Sequence, residues 1–173
     1  MTAPTGRVLV TAASKHGATH EIADALAAGL RRAGGSLLSV DSIPAERNPS
    51  PSRYGAVVLG SAVYAGNWRD EARHWAAVHA GELRDRPVWL FSSGPIGEPP
   101  FPPDEPHDVA SLQQVTGARE HRTFPGRLEK HLLSVPERAM VTAMRAPLGD
   151  FRDWPAVEAW AVGIALSLSA PVP

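Results

Sequence analysis

Short apolar runs alternate along the chain with longer stretches of helical periodicity. Arg7–Thr11 (RVLVT) is apolar and β-branched, which predicts a buried strand. A polar stretch over 12–18 follows. From about Thr19 to Ala33, the residues Ile22, Ala23, Leu26, Ala27 and Leu30 recur every three or four positions and form one apolar face of a helix. Gly34-Gly35 stops that helix. Ser36–Val40 predicts a second strand, ending at Asp41, and Ile43–Arg53 is a polar, Pro-rich loop. Tyr54–Gly60 (YGAVVLG) is apolar without alternation, the pattern of a strand covered on both faces of a parallel sheet. Asn67–Ala80 predicts a second helix, with Ala72, Trp75, Ala76 and His79 on a common face, and Pro87–Ser93 (PVWLFSS) a fourth buried strand.

The remainder is less regular. Pro95–Pro106 holds six prolines in twelve residues, so it reads as a loop or lid rather than helix or central strand. A weaker strand is predicted over Ala118–Phe124 and a helix over Pro136–Met144. The last helix is clearer. Asp153 or Trp154 caps it, Pro155 sits in its first turn, and Val157, Trp160, Ala161, Ile164 and Leu168 form its stripe. Strands alternating with helices predict an α/β fold: a doubly wound, parallel five-stranded sheet, order 2-1-3-4-5, with helices on both faces. Residues 1–173 are expected to form one such domain, with the Pro-rich loop at 95–106 and a helix-bearing insertion at about 125–150. Ligands of such sheets bind beyond the carboxyl ends of the strands, which directs attention to the loops after strands one, three and four.

Composition narrows the chemistry. With 17 Lys+Arg against 18 Asp+Glu the chain is near neutral, so it has no overall field for nucleic acid. Cys is absent, which excludes disulfides, thiolate zinc sites, cysteinyl iron–sulfur sites and a Cys nucleophile. No apolar run approaches the roughly 18 residues that cross a bilayer. The first residues lack the apolar core of a signal peptide, so a cytoplasmic location is expected. His16 and His20 stand four apart without a third ligand of suitable spacing, so no metal site is expected.

The first loop reads Ser14-Lys15-His16-Gly17-Ala18-Thr19. It lies between a strand and a helix N-terminus, where unpaired N–H groups and the helix dipole favour an anion. Gly17 permits close approach, Ser14 and Thr19 offer hydroxyls, and Lys15 adds charge. Three spaced glycines are missing, so this is not a dinucleotide fingerprint, and without Gly-Lys-Ser/Thr it is not a Walker loop. Clustered carboxylates, which a response regulator would need after the first strand, are missing as well: Ala12-Ala13 stand there. The third-strand loop, Ser61-Ala62-Val63-Tyr64-Ala65-Gly66-Asn67-Trp68, places two aromatics and a glycine where a flat heterocycle could stack. The same aromatics would equally serve to staple the loop to the second helix. The fourth-strand loop, Ser92-Ser93-Gly94-Pro95-Ile96-Gly97, could offer backbone groups to the edge of a ring.

Taken together, a phosphate cradle, an aromatic loop and a small polar loop at strands one, three and four resemble the flavodoxin-like flavoproteins over nearly the whole chain. The resemblance implies non-covalent FMN. Its phosphate would be wrapped by Ser14, Lys15, His16, Gly17, Ala18 and Thr19. The ring would be held by Ser61, Ala62, Val63, Tyr64, Asn67 and Trp68 from one loop and Ser92, Ser93, Gly94 and Gly97 from the other. Phe124-Pro125-Gly126-Arg127-Leu128 and Asp150-Phe151-Arg152-Asp153-Trp154 further resemble the flavodoxin-domain branch that includes the menaquinone-dependent protoporphyrinogen oxidase.

That likeness implies electron or hydride transfer through the flavin, with a redox partner, a quinone or a porphyrin as the other reactant. A homo-oligomer is compatible with it. An FMN-dependent NAD(P)H:quinone or flavin reductase is the enzymatic alternative, and a partner-binding domain without flavin the non-enzymatic one. The Pro-rich segment, with Glu98, Asp104 and Glu105, is expected to wall the ring and to disfavour porphyrin carboxylates relative to a neutral quinone.

Overall fold

The computed structural model describes residues 6–94, 96–97 and 104–170. β1 (Arg7–Ala13) runs into α1 (Ala18–Gly34), and a 3-10 turn over Gly35–Leu37 leads to β2 (Ser39–Ser42). β2 therefore starts three residues later than the apolar pattern indicates, because Gly35 takes φ +53 and the chain coils once more before extending. β3 (Ala56–Tyr64) is followed by β4 (Asn67–Trp68), α2 (Asp70–Val78) and α3 (Ala80–Arg84). The single helix expected over 67–80 is thus a strand and two shorter helices. Ala65 and Gly66 both have positive φ, 49° and 77°, and this tight turn folds Asn67 and Trp68 back along β3.

β5 (Val88–Ser93) precedes α4 (Val109–Thr116), β6 (Glu120–Phe124), β7 (Arg127–Leu128), α5 (Val135–Met144), β8 (Gly149–Asp150) and α6 (Trp154–Ser169). The periodicity reading did not include α4. It buries only Val109, Leu112 and Thr116, and ends on Gly117 in the left-handed region at φ +69.

The main sheet is parallel in the order β2-β1-β3-β5-β6, with β4 antiparallel on β3. Apart from that short ribbon, this is the topology the sequence predicts. Alternate residues of each strand feed two cores. Val8, Val10, Ala12, Val58, Phe91 and Phe124 pack beneath α1 and α6. Leu9, Val57, Leu59, Val88 and Leu90 pack against α2, α3 and α4. The strands are apolar throughout because both of their faces are covered. The Phe91, Phe124 and Trp160 rings meet tilted or edge-on, with centroids 5.5–6.3 Å apart.

Between β6 and α6 the chain makes a separate excursion. β7 and β8 pair antiparallel, so the Phe124–Leu128 and Asp150–Trp154 motifs meet as one ribbon. Arg152 binds Asp150 and Glu21, which fastens that ribbon to the first turn of α1. Among the described residues no helix is long and apolar enough to cross a membrane.

Gly60 lies beside Phe91 in the β3–β5 register, and a Cβ there would fall 2.2 Å from the Phe91 ring. Gly60→Ala should therefore cost roughly 2 kcal/mol and lower Tm by about 4–8 °C in a thermal melt. A melt unchanged by the extra methyl would show that the ring is not packed across this position.

Candidate functional site

Strand register brings three loops to one level. Ala13 pairs with Ser61, Ala62 with Ser93, and Ser93 with Phe124, so the chain leaves β1, β3 and β5 along a single edge. After β1 it turns through Ser14–Gly17 into α1. Gly17 is the N-cap at φ +88 and ψ −16, a conformation that glycine adopts without strain. Its N–H donates to Ser14 Oγ at 3.0 Å. The N–H groups of Lys15, His16, Ala18 and Thr19 have no acceptor among the described residues, at the positive end of the α1 dipole.

A cavity of about 460 Å³ opens from this loop across the sheet edge. Ser14, Lys15, His16, Ala18 and Thr19 line one end, and Ala62, Val63, Tyr64, Ser93 and Gly94 line the sheet side. Six of the residues singled out from the sequence lie off the lining. Gly17 turns the loop into α1 as its N-cap. Ser61 is buried, donates to Ala62 O and accepts from the Arg69 N–H. Asn67 donates to Ala65 O. Gly97, at φ +78, sits against Pro147.

Trp68 and Ser92 are buried and bonded to each other. In the β3–β4 ribbon Tyr64 pairs with Asn67 and Val63 with Trp68, so the two aromatics occupy opposite faces. Only Tyr64 reaches the cavity.

The opposite wall went unread in the sequence. It comes from the excursion between β6 and α6: Leu128, Leu132, Leu133, Met140, Val141 and Met144 present an apolar surface, with Arg127 and Glu129 at its edge. The rim carries Asp104, Glu105 and His107. Of the Pro-rich segment, residues 95 and 98–103 lie outside the described residues. Ile96 lines the cavity, and the His107 N–H donates to Gly66 O at 2.8 Å, which ties the segment to the β3 loop.

The flavodoxin domain model matches residues 9–154. The chain belongs to the flavodoxin domain family. A search of curated proteins gives no match. Solved structures share the fold at low identity. Flavodoxin 1 of Bacillus cereus, oxidised, is 15% identical with a TM-score of 0.62, over 96% of this chain and 100% of that one. Two-electron reduced flavodoxin of Megasphaera elsdenii is 15% identical at 0.61, over 92% and 98%. Rubredoxin:oxygen oxidoreductase of Desulfovibrio gigas is 15% identical at 0.64, over 96% of this chain but 37% of that protein. This flavodoxin domain therefore spans little more than a third of that larger relative.

Two carboxylates, Glu137 and Glu46, bond to the first loop of the flavodoxin domain's cavity. Glu137, on α5, is 9% exposed. Its Oε1 accepts from Lys15 Nζ and lies 3.2 Å from His16 Nε2, and its Oε2 accepts the Ser134 N–H at 2.7 Å. Burial alone would raise this carboxyl, but the hydrogen bonds from Lys15, Ser134 and His16 outweigh it and hold it at about 2. Glu46 accepts the Ser14 N–H at 3.1 Å. The Tyr64 hydroxyl is pushed up, first by burial and then by Glu137, with Arg69 opposing.

Behind the sheet edge, hydrogen bonds run in one direction. Trp68 Nε1–H donates to Ser92 Oγ at 2.7 Å, Ser92 Oγ meets His121 Nε2 at 2.7 Å, and His121 Nδ1 meets Glu105 at 2.9 Å. The Glu105 carboxylate can only accept, so the neutral His121 carries its proton on Nδ1 toward it, which leaves Nε2 to accept the Ser92 hydroxyl proton. Burial lowers the His121 pKa, with Glu105 opposing, which favours that neutral ring.

The Glu137 carboxyl has an ordinary value of 4.5 and a folded value of about 2. Its contacts therefore contribute fully above about pH 4.5 and are lost as pH falls toward 2. Urea unfolding of the wild type and Glu137→Gln should show a stability gap that is largest at neutral pH and narrows below pH 4.5. A gap that stays constant down to pH 2.5 would mean that this carboxyl is not held ionised by its partners.

Proposed function

We propose that this flavodoxin domain binds FMN without a covalent bond and works as an electron-transfer flavoprotein. One observation carries the reading: a single cavity joins the unsatisfied N–H groups of the α1 N-terminus to the Tyr64 and Gly94 loops on the same sheet edge. A phosphate fits the first end, where four N–H groups lack acceptors beside Lys15. A flat ring fits the second, between Tyr64, Val63 and the side-chain-free Gly94. The volume lies within the range of roughly 300–1,000 Å³ usual for small-ligand sites.

Bound FMN would supply one- and two-electron transfer. The chain's own tasks are to bind and to exclude. Ser14 and the N–H groups of Lys15, His16, Ala18 and Thr19 would hold the phosphate. Val63, Tyr64, Ser93 and Gly94 would flank the ring, and the apolar wall of α5 would keep water from it.

The wall also bears on what meets the ring. Leu132, Leu133, Met140 and Met144 favour a neutral, apolar acceptor such as a quinone. Asp104 and Glu105 on the rim oppose the carboxylates of a porphyrin. This argues against carrying protoporphyrinogen oxidation over from the resemblance of the Phe124–Leu128 motif.

The test is a spectral titration of purified apoprotein with FMN, which should give a saturable complex with a perturbed oxidised-flavin spectrum. Gly17→Val should weaken that complex about ten-fold, because a β-branched residue resists φ +88 even though a Cβ there meets open space. Gly17→Asn, which tolerates the left-handed region, should weaken it far less. Equal affinity for all three proteins would remove FMN phosphate from this loop.

A further inference from the structure

Lys15 is the cation of the anion-binding loop, yet it already has a carboxylate. We propose that Glu137 is a specificity-determining residue: a built-in counter-anion that occupies Lys15 and His16 and so sets how strongly the cavity prefers a phosphorylated flavin to an unphosphorylated one. The inference rests on the FMN reading above.

Four observations support it. The contact joins elements far apart in sequence, since Lys15 and Glu137 are separated by 122 positions. It is built rather than incidental. One carboxylate oxygen caps its own helix through the Ser134 N–H, while Ser134 Oγ accepts the Glu137 N–H, and this box aims the other oxygen at the loop. The carboxylate is buried while the Lys15 ammonium stays partly exposed, so water screens the pair only in part. And its partners Lys15 and His16 line the cavity end where the N–H groups of Lys15, His16, Ala18 and Thr19 lack acceptors.

A phosphate arriving there would meet a lysine already neutralised and a negative charge within hydrogen-bonding distance of it. Whatever the charge of His16, Glu137 subtracts one unit from the field that the phosphate feels. The ring end of the cavity does not bear that cost, because an uncharged ligand has no such repulsion. Glu137 should therefore reduce affinity for FMN while leaving affinity for riboflavin, the same ring without phosphate, nearly untouched.

Wild-type protein and Glu137→Gln are titrated with FMN and with riboflavin by flavin fluorescence. The glutamine keeps an acceptor for the Ser134 N–H and removes the charge, and its amide NH2 replaces the oxygen that faced Lys15 Nζ. The expected result is a ratio of FMN to riboflavin affinity about ten-fold higher in the variant, with riboflavin affinity changed less than two-fold. A ratio that is unchanged or lower overturns the proposal. Should the variant not fold, the wild type still decides it. The Glu137 side-chain carboxyl carbon, followed by NMR, should shift on saturation with FMN and not with riboflavin. No shift with either, or the same shift with both, overturns it. If the wild type binds both flavins and the ratio does not respond, only the role of Glu137 fails. If it binds neither, the FMN reading fails and this proposal with it.

Discussion

A parallel sheet that is apolar on both faces leaves the chain little choice. Val8, Val10 and Ala12 must be covered on one side and Leu9 and Ala13 on the other, so the connections must supply helices to both faces. α1 and α6 fill one face, and α2, α3 and α4 the other. The order then reverses between β1 and β3, and both strands end at the same level. A cleft at that reversal follows from the topology, before any side chain in the loops is considered. The loop after β5 enters the same edge because β5 pairs directly with β3. The place of the cavity is thus a consequence of core burial, and only its chemistry is left to the loops.

That chemistry is more acidic than the loop sequence indicates. Ser14-Lys15-His16-Gly17 reads as a cation beside open N–H groups. In the folded chain Glu46 takes the Ser14 N–H, and Glu137 takes Lys15 and His16. Neither acid is near the loop in sequence. Glu46 arrives in the 3-10 turn after β2, and Glu137 arrives on α5. The cradle is therefore tuned by elements outside the sheet's own strand-to-helix turns, and its net field is set by tertiary contacts.

The parallel strands and α1 were legible because burial imposes a pattern on them, three apolar residues in succession for β1 and a three-and-four spacing for α1, and α6 adds an Asp cap and Pro155 to its stripe. Where the sequence misled, a local geometry overrode the period. Ala65 and Gly66 both adopt positive φ, so Asn67 and Trp68 become a strand rather than the first turn of a helix. That same turn decides which aromatic faces the cavity, and residue type alone could not separate Tyr64 from Trp68. α4 was hidden because eight residues with three buried positions carry little periodic signal beside a Pro-rich run. The wall of the cavity was hidden for another reason. Ser134-x-x-Glu137 announces a helix cap, and it does cap α5, but the second use of the carboxylate depends on a loop 122 residues away.

Lys15 is the point where the three parts of the site converge. Its Nζ stands over the Tyr64 ring, 5.5 Å from the centroid, and donates to Glu137. The two attractions are unequal. A cation over a partly exposed phenol ring is worth about 0.5–1 kcal/mol, whereas a charge-assisted hydrogen bond to a buried carboxylate is worth roughly 1.5–3 kcal/mol. Glu137 therefore fixes where the ammonium sits, and Tyr64 packs against a cation already placed. The box at Ser134 in turn fixes the carboxylate, so the order of control runs from α5 to the first loop. The excursion between β6 and α6 is accordingly more than a cover. By holding Lys15 it sets the charge at the loop end of the cavity, while the β3–β4 turn places the aromatic surface. The Arg152 contacts to Asp150 and Glu21 hold its base to the first turn of α1, and Glu137 ties its middle to the first loop.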